Sequence, residues 1–416
     1  MIKITNVLHS DETRKTVEIP HPEPITIDGT DLVLLPTLID PHVHFRVPGL
    51  EAKEDFFYAS RAAFKGGVLE VFDMPNVVPP TVTEERLLAK CERIEKQIQQ
   101  SGVPMNYQLF FGADKNNFAE IAKIKDHPNV IGVKVFMGAS TGELLMDDMS
   151  SLHAIYALCK AHNLIIALHA EDECTIQANT KKHQHDDRYE AHSMIRSVDA
   201  ARKAVAQVIE LAKMYDVPSY ILHTSSRAEL ELVKAAKAEN IPVYAETCPH
   251  YLFMDISHYA TLGGKAKMNP ALRDKSECDY LWQAIKEGIV DTIGTDHAPH
   301  EEAHKCEVVH RCPSGVPGVE TSLNLLLTAY KEGKISLKDI VRLTSTNPRT
   351  IFNRPADESF LLADITHYKT ICKEDLFTKC SWSPYEGLSV TGYVKYIYTN
   401  NTLYNIDELE NPHNMN

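Results

Sequence analysis

The segment DPHVHFR, residues 40–46, sets two imidazoles, His42 and His44, one residue apart. In an extended strand alternate side chains share a face, so such a pair can grip one metal ion. Arg46 follows two positions later and offers a planar fork for a carboxylate or phosphate. An HxH pair alone serves equally well as a structural pair. Further groups of the same kind appear later: Lys134 in VIGVKVFM, His169 in LIIALHA, His223 in SYILHT and Asp296 in VDTIGTD. Each lies within or at the end of a short apolar run. A lone histidine there more often hydrogen-bonds within a core. Four of them with an aspartate point instead to a metal centre, because neutral imidazole and carboxylate oxygen suit zinc.

These groups can meet only if the runs carrying them converge. Eight short β-rich runs alternate with longer amphipathic stretches: residues 38–45, 67–74, 106–112, 130–137, 164–170, 219–224, 241–247 and 290–296. Helices are expected over 83–100, 150–162, 193–215 and 227–240, with Thr or Ser at their starts and Gly, Asn or Pro near their stops. This rhythm predicts an α/β protein with a (β/α)8 barrel, whose strand C-termini gather polar side chains on one face. An open doubly wound sheet is the rival, but no GxGxxG or GxxxxGK[ST] follows any run. Residues 39–355 are assigned to the barrel. Short alternating segments before residue 38 and after about 356 predict a small β-sandwich domain built from both termini, residues 1–38 and 356–416.

A formal charge of −14 over 416 residues argues against nucleic acid or an anionic membrane as the main partner, though not against a small anionic substrate. No apolar run approaches the roughly 18 residues of a membrane span, and the start MIKITNVLHSDETRK lacks the core of a signal peptide, so a soluble cytoplasmic protein is expected. Nine cysteines without a CxxC pair fit reduced thiols.

Ten blocks occur in order: DPHVHFRVPGLEAKEDF, AAFKGG, DMPNVVPPT, GVKVFMGASTGE, ALHAED, ILHTSS, AETCPHYL, MNPALRD, GTDHAPH and SGVPGVET. From about Pro36 to Arg349, and again at SWSPYEG (381–387), the chain resembles the amidohydrolase superfamily and, within it, the dihydroorotases. The resemblance implies two zinc ions, one held by His42, His44 and Asp296 and the other by His169 and His223, bridged by a carboxylated Lys134 and a hydroxide. Lys134 cannot ligate as an ammonium, but a desolvated amine between two cations would deprotonate and capture carbon dioxide. Asp296 would also shuttle the proton between water and substrate nitrogen. Arg46, Asn76 and His300 would grip a substrate carboxylate, while Asn269 and the backbone at Ser314 and Gly315 would contact the ring.

The implied reaction is the reversible zinc-dependent cyclisation of N-carbamoyl-L-aspartate to L-dihydroorotate plus water, a step of pyrimidine biosynthesis. A homodimer and an association with aspartate carbamoyltransferase are implied as well. Allantoinase and dihydropyrimidinase are the competing activities, and a catalytically silent relative is the competing class. Arg46 and His300 argue against the former, and retention of all six metal positions against the latter. The GASTGE segment, 138–143, has the small residues of a lid, with Thr141 a candidate carboxylate donor. His304, Cys306, His310 and Cys312 could hold an extra metal, although their spacing fits no standard finger. After Phe352 the chain departs from the family pattern: ESFLLADITHY is abbreviated and TNN replaces the usual Val-Asn-Gly turn, which puts strand pairing there in doubt.

Overall fold

Strands buried on both faces read as unbroken apolar runs, and all eight of these runs join one sheet in chain order. In the computed structural model, which describes residues 1–139 and 144–415, four strands come first: β1 (Ile2–Leu8), β2 (Arg14–Ile19), β3 (Ile25–Asp28) and β4 (Leu32–Pro36). The barrel follows with β5 (Leu38–Val43), β6 (Val68–Asp73), β7 (Asn106–Gly112), β8 (Val130–Phe136), β9 (Ile166–His169), β10 (Ser219–Ile221), β11 (Val243–Thr247) and β12 (Thr292–Ile293). Every neighbouring pair is parallel. Beyond β12 the chain closes the seam onto β5. Val43 bridges His297, the His44 N–H donates to the His297 carbonyl at 2.8 Å, and Asp40 accepts from the Thr295 N–H at 2.9 Å and its hydroxyl at 2.5 Å. The expected (β/α)8 barrel is therefore the fold, and the open sheet is not.

Helices carry the chain back between strands with local stops. Thr83 caps the helix Glu84–Ser101 by accepting from the Arg86 N–H at 3.3 Å, and Gly102 ends it at φ +71. A cap of this kind contributes about 1 kcal/mol. The single helix expected over 193–215 is two helices, Ala191–Ile195 and Val198–Tyr215. The break arises because Arg196 turns its guanidinium inward to Glu171, and Ser197 then caps the second helix. Among the described residues, no helix is long and apolar enough to cross a membrane.

The barrel interior is plugged by Ile39, Phe72, Phe110, Tyr220 and Phe352, with the Phe352 ring 5.0 Å from Phe72 and 4.9 Å from Tyr220. Burying each large apolar side chain stabilises the fold by roughly 1.5–3 kcal/mol. Packed this way, the interior is a floor, and the polar strand ends lie at its rim.

Strands from both ends of the chain share a second sheet. They are β1 to β4 with β13 (Phe360–Asp364), β16 (Tyr393–Thr399) and β17 (Thr402–Asn405), in the order β17-β16-β13-β4-β1-β2, with β3 beside β1. Alternation along β13 explains its placement: Leu361 and Ala363 face the main core, whereas Phe360 and Leu362 join a separate cluster with Ile2, Ile4 and Tyr398. β14 (Lys369–Thr370) and β15 (Ser389–Val390) form a two-stranded ribbon. The unusual TNN turn does not disturb pairing. Asn400 (φ +50) and Asn401 (φ +59) form the two-residue connection of the β16–β17 hairpin, and asparagine tolerates the left-handed region such turns demand.

Candidate active site

At the rim, β5 presents His42 and, just past its end, His44 towards Asp296, which follows β12. Asp296 Oδ1 is 3.3 Å from His42 Nε2 and 3.0 Å from His44 Nε2. Ligand atoms of these three buried residues lie within 4.8 Å of one another. His169, at the end of β9, meets His223 beyond β10, with Nδ1 and Nε2 2.9 Å apart. The His42 and His223 rings are 5.4 Å apart between centroids, so the four imidazoles form one continuous patch. Arg46, His223 and Asp296 all have positive φ (+67, +42 and +47). Non-glycine residues in that region cost of order ~1–3 kcal/mol each, a strain that clusters at functional sites.

Partners on the far side of each ring fix its orientation. His42 Nδ1 faces Glu246 Oε1 at 2.7 Å, and His44 Nδ1 faces Asn76 Oδ1 at 2.8 Å. A ring that donates from Nδ1 keeps its lone pair on Nε2 when neutral, so His44 Nε2 aims a lone pair at the Asp296 carboxylate, and His42 Nε2 would do the same once a cation displaced its proton. Burial lowers the pKa of His44 to about 3, against the pull of Asp296, which leaves no proton to reconcile them. Burial would lower His42 too, but Asp296 and Glu246 more than offset it and raise it. Burial would raise the Asp296 carboxyl, yet His42 and His44 hold it well below the usual range. Lone pairs converging around an ionised, buried carboxylate fit a divalent cation. The second pair is held differently: His169 Nε2 lies 2.9 Å from Glu171 Oε2, which also pairs with Arg196, whereas His223 Nδ1 is buried with no hydrogen-bond partner among the described residues, and burial first of all lowers both His169 and His223.

Lys134 is buried on β8, with its ammonium 4.4 Å from the Phe136 ring centre, and burial lowers its pKa to about 7 although Asp296 and Glu246 resist. Close packing at Gly294 permits the whole arrangement. A Cβ there would come within 2.4 Å of Glu246 Oε2 and 2.9 Å of the His42 Cβ.

Arg46 lies beside the histidine cluster and is almost wholly buried. Its Nε donates to the Pro299 carbonyl at 3.2 Å, and Nη2 lies 3.4 Å from His300 Nε2. His300 Nε2 is also 3.0 Å from the Ser314 carbonyl. Gly315 follows at φ +132, its carbonyl held by Lys305 at 2.9 Å. Asn269 is oriented by His192, whose Nε2 is 3.0 Å from its Oδ1. Asn76 turns its Oδ1 to His44, and a grip on a substrate carboxylate would use its amide Nδ2–H instead.

All six expected metal positions thus sit on barrel strands or just past their ends, and Arg46, His300 and Ser314 form one linked group. Glu246, Glu171 and Arg196 were not anticipated. A glutamate inside the buried strand VYAET is the signal that points to Glu246, since a carboxylate there must have a partner. Thr141, and all of 140–143, lie outside the described residues. The extra-metal reading of 304–312 finds no support: Cys312 is buried against backbone carbonyls, Cys306 and His304 are exposed, and His310 lies nearest Asp187. Among the described residues only His42, His44 and Asp296 form a group of three His, Cys, Asp or Glu side chains spaced to hold an ion.

Residues 33–357 match the Amidohydrolase family. The chain is 32% identical over 408 residues to a dihydroorotase of Methanosphaera stadtmanae, covering 94% of this chain and 90% of that one. It is also 32% identical over 366 residues to the multifunctional protein CAD of Squalus acanthias, spanning 88% of this chain but only 14% of that protein's length. Among solved structures, an L-hydantoinase (dihydropyrimidinase) from Arthrobacter aurescens superposes with a TM-score of 0.89 at 24% identity, covering 97% of this chain and 95% of its own, a likeness of fold. With its barrel, its histidine-rich rim and a match over most of its length, the chain belongs to the amidohydrolase family and groups by sequence with dihydroorotases.

Proposed function

We propose that the chain is a dihydroorotase, interconverting N-carbamoyl-L-aspartate and L-dihydroorotate plus water. The observation that carries this reading is Arg46. It is buried at 1% exposure beside the metal-type cluster, and among the described residues no carboxylate lies within ion-pair distance of it. Asp296, Asp73 and Glu54 act on this guanidinium only from beyond contact distance, and a substrate carboxylate supplies the direct, bidentate partner that a buried guanidinium calls for. The rings taken by dihydropyrimidinase or allantoinase carry no carboxylate at that position.

His42, His44 and Asp296 would hold one zinc ion and His169 and His223 a second, with Lys134 between them. When bound, the pair supplies a hydroxide nucleophile at neutral pH and polarises the reacting carbonyl. Lys134 is suited to carboxylation because burial favours its neutral amine. That amine forms an N–C bond to carbon dioxide, loses one proton and becomes the anionic carbamate. Arg46 and His300 clamp the substrate carboxylate, and Asn269 and the Ser314–Gly315 backbone fix the ring, which holds the reacting atoms in register. Asp296 takes the proton of the attacking hydroxide and delivers it to the departing ring nitrogen; in cyclisation it removes the proton from the ureido nitrogen as the N–C bond forms and hands it to the carboxyl oxygen that leaves as hydroxide.

The likeness to one segment of a multifunctional protein supports association with a second enzyme. Aspartate carbamoyltransferase, which makes carbamoyl-aspartate, is the partner we assign, alongside a homodimer suggested by family resemblance. The test is turnover of zinc-loaded protein on dihydroorotate, dihydrouracil and hydantoin in parallel. Dihydroorotate should be strongly preferred. Preference for a ring without a carboxylate sinks the substrate assignment, and a fully metallated protein inert on all three is a silent relative.

A further inference from the structure

The loop between His300 and Ser314 should be the loosest part of the rim, since it contains only the short helix Glu302–Lys305. It is instead held from inside. Lys305 is 1% exposed, and its ammonium donates to three backbone carbonyls, Lys267 at 3.0 Å, Pro313 at 2.7 Å and Gly315 at 2.9 Å. Three acceptors use all three N–H groups of an ammonium, and among the described residues Lys305 has no carboxylate partner. The Gly315 N–H also donates to the Lys267 carbonyl at 2.9 Å. Gly315 packs so closely on Ala298 that a Cβ would come within 2.4 Å of the Ala298 carbonyl.

A second hold comes from the segment after the barrel. Trp382, wholly buried, donates its indole N–H to the His300 carbonyl at 2.7 Å, with the Lys305 ammonium 5.9 Å from its ring centre. The two ends of the loop, His300 and Ser314–Gly315, are therefore fixed by side chains that line no part of the cluster around Asp296. Between those fixed ends a single atom, His300 Nε2, lies 3.0 Å from the Ser314 carbonyl and 3.4 Å from Arg46 Nη2.

We infer that Lys305, with Trp382, is a positioning residue that sets substrate recognition by holding His300, Ser314 and Gly315 in register with Arg46. This rests on the dihydroorotase reading given above. Lys267 provides the internal control. It too is a buried lysine donating to carbonyls of this loop, Val309 at 2.7 Å and Cys312 at 2.5 Å, but it does not touch Pro313 or Gly315 through its side chain. A purely structural role predicts that the two lysines behave alike.

The experiment uses zinc-loaded full-length protein with dihydroorotate, comparing Lys305→Met, Lys267→Met and Trp382→Phe with the parent for KM, kcat, zinc content and Tm. Turnover by the parent tests the activity itself, so its failure is seen separately. Lys305→Met should raise KM about tenfold or more with kcat within about threefold and zinc unchanged, because a shift of under 1 Å in binding groups is enough for such losses. Trp382→Phe should change KM in the same sense, and remains informative if Lys305→Met does not fold. Lys267→Met should lower Tm without that rise. Unchanged KM in folded Lys305→Met or Trp382→Phe overturns the inference, as does an equal KM rise in Lys267→Met.

Discussion

His42 Nδ1 and Glu246 Oε1, 204 residues apart in sequence, lie 2.7 Å from each other beneath the rim. The same carboxylate accepts from the His223 backbone N–H at 3.1 Å and from the Tyr220 hydroxyl at 2.9 Å. One side chain therefore sets the tautomer of an imidazole in one proposed metal position and the backbone of another. Glu246→Gln should weaken zinc retention about 10–100-fold, read by competition with a chelator, while the barrel still folds. Unaltered zinc affinity would assign Glu246 to packing alone.

Arg46→Ala removes the anion clamp. Charge-assisted hydrogen bonds are worth about 1.5–3 kcal/mol, so kcat/KM for dihydroorotate should fall by roughly ten- to 150-fold. The same variant should leave any slow hydrolysis of dihydrouracil unaltered. Equal losses on both substrates would place Arg46 in the scaffold.

Asp296→Ala should lower turnover by at least about 10²–10⁴, since the proton carrier is lost, while substrate still binds through Arg46 and His300. Equilibrium dialysis with dihydroorotate separates the two effects.

Burial, with Lys267 and Arg196 nearby, lowers the pKa of His192 to about 3 from an ordinary value near 6.5. The folded state thus binds this proton less readily than the unfolded chain. Stability from His192 is complete above about pH 6.5 and falls by up to about 1.4 kcal/mol per pH unit as pH drops from there towards 3. His192→Gln keeps a donor for Met268 and Asn269 but does not titrate. Denaturant titrations from pH 7 to 4 should show a shallower acid slope in the variant.

Lys134→Ala should abolish activity and reduce bound zinc, and a short carboxylic acid added in excess should restore part of both by standing in for the carbamate. No recovery at any acid concentration, with the variant folded, argues for a non-carboxylated role.

Much of this architecture was legible because parallel strands covered on both faces leave continuous apolar runs, and because each proposed ligand interrupts or ends such a run. VIGVKVFM announces both β8 and Lys134. The break at Arg196 was hidden, since the apolar period continues through 193–215 while the guanidinium's partner, Glu171, lies in a different βα unit. Glu246 was missed for the same reason: its role depends on a ring brought near by barrel closure. That Asn76 Oδ1 orients His44 is likewise hidden in MPN, since the ring it meets lies 32 residues away.

The pairing of β4 with β13, Leu35 opposite Leu361, joins the strand just before the barrel to the first strand after it. Until that pairing forms, one edge of β4 offers bare backbone donors and acceptors, a template for stray association. The terminal sheet thus works as a clasp across the two ends of the barrel, and a chain cut before Phe360 should scatter light as it self-associates where the intact protein stays clear.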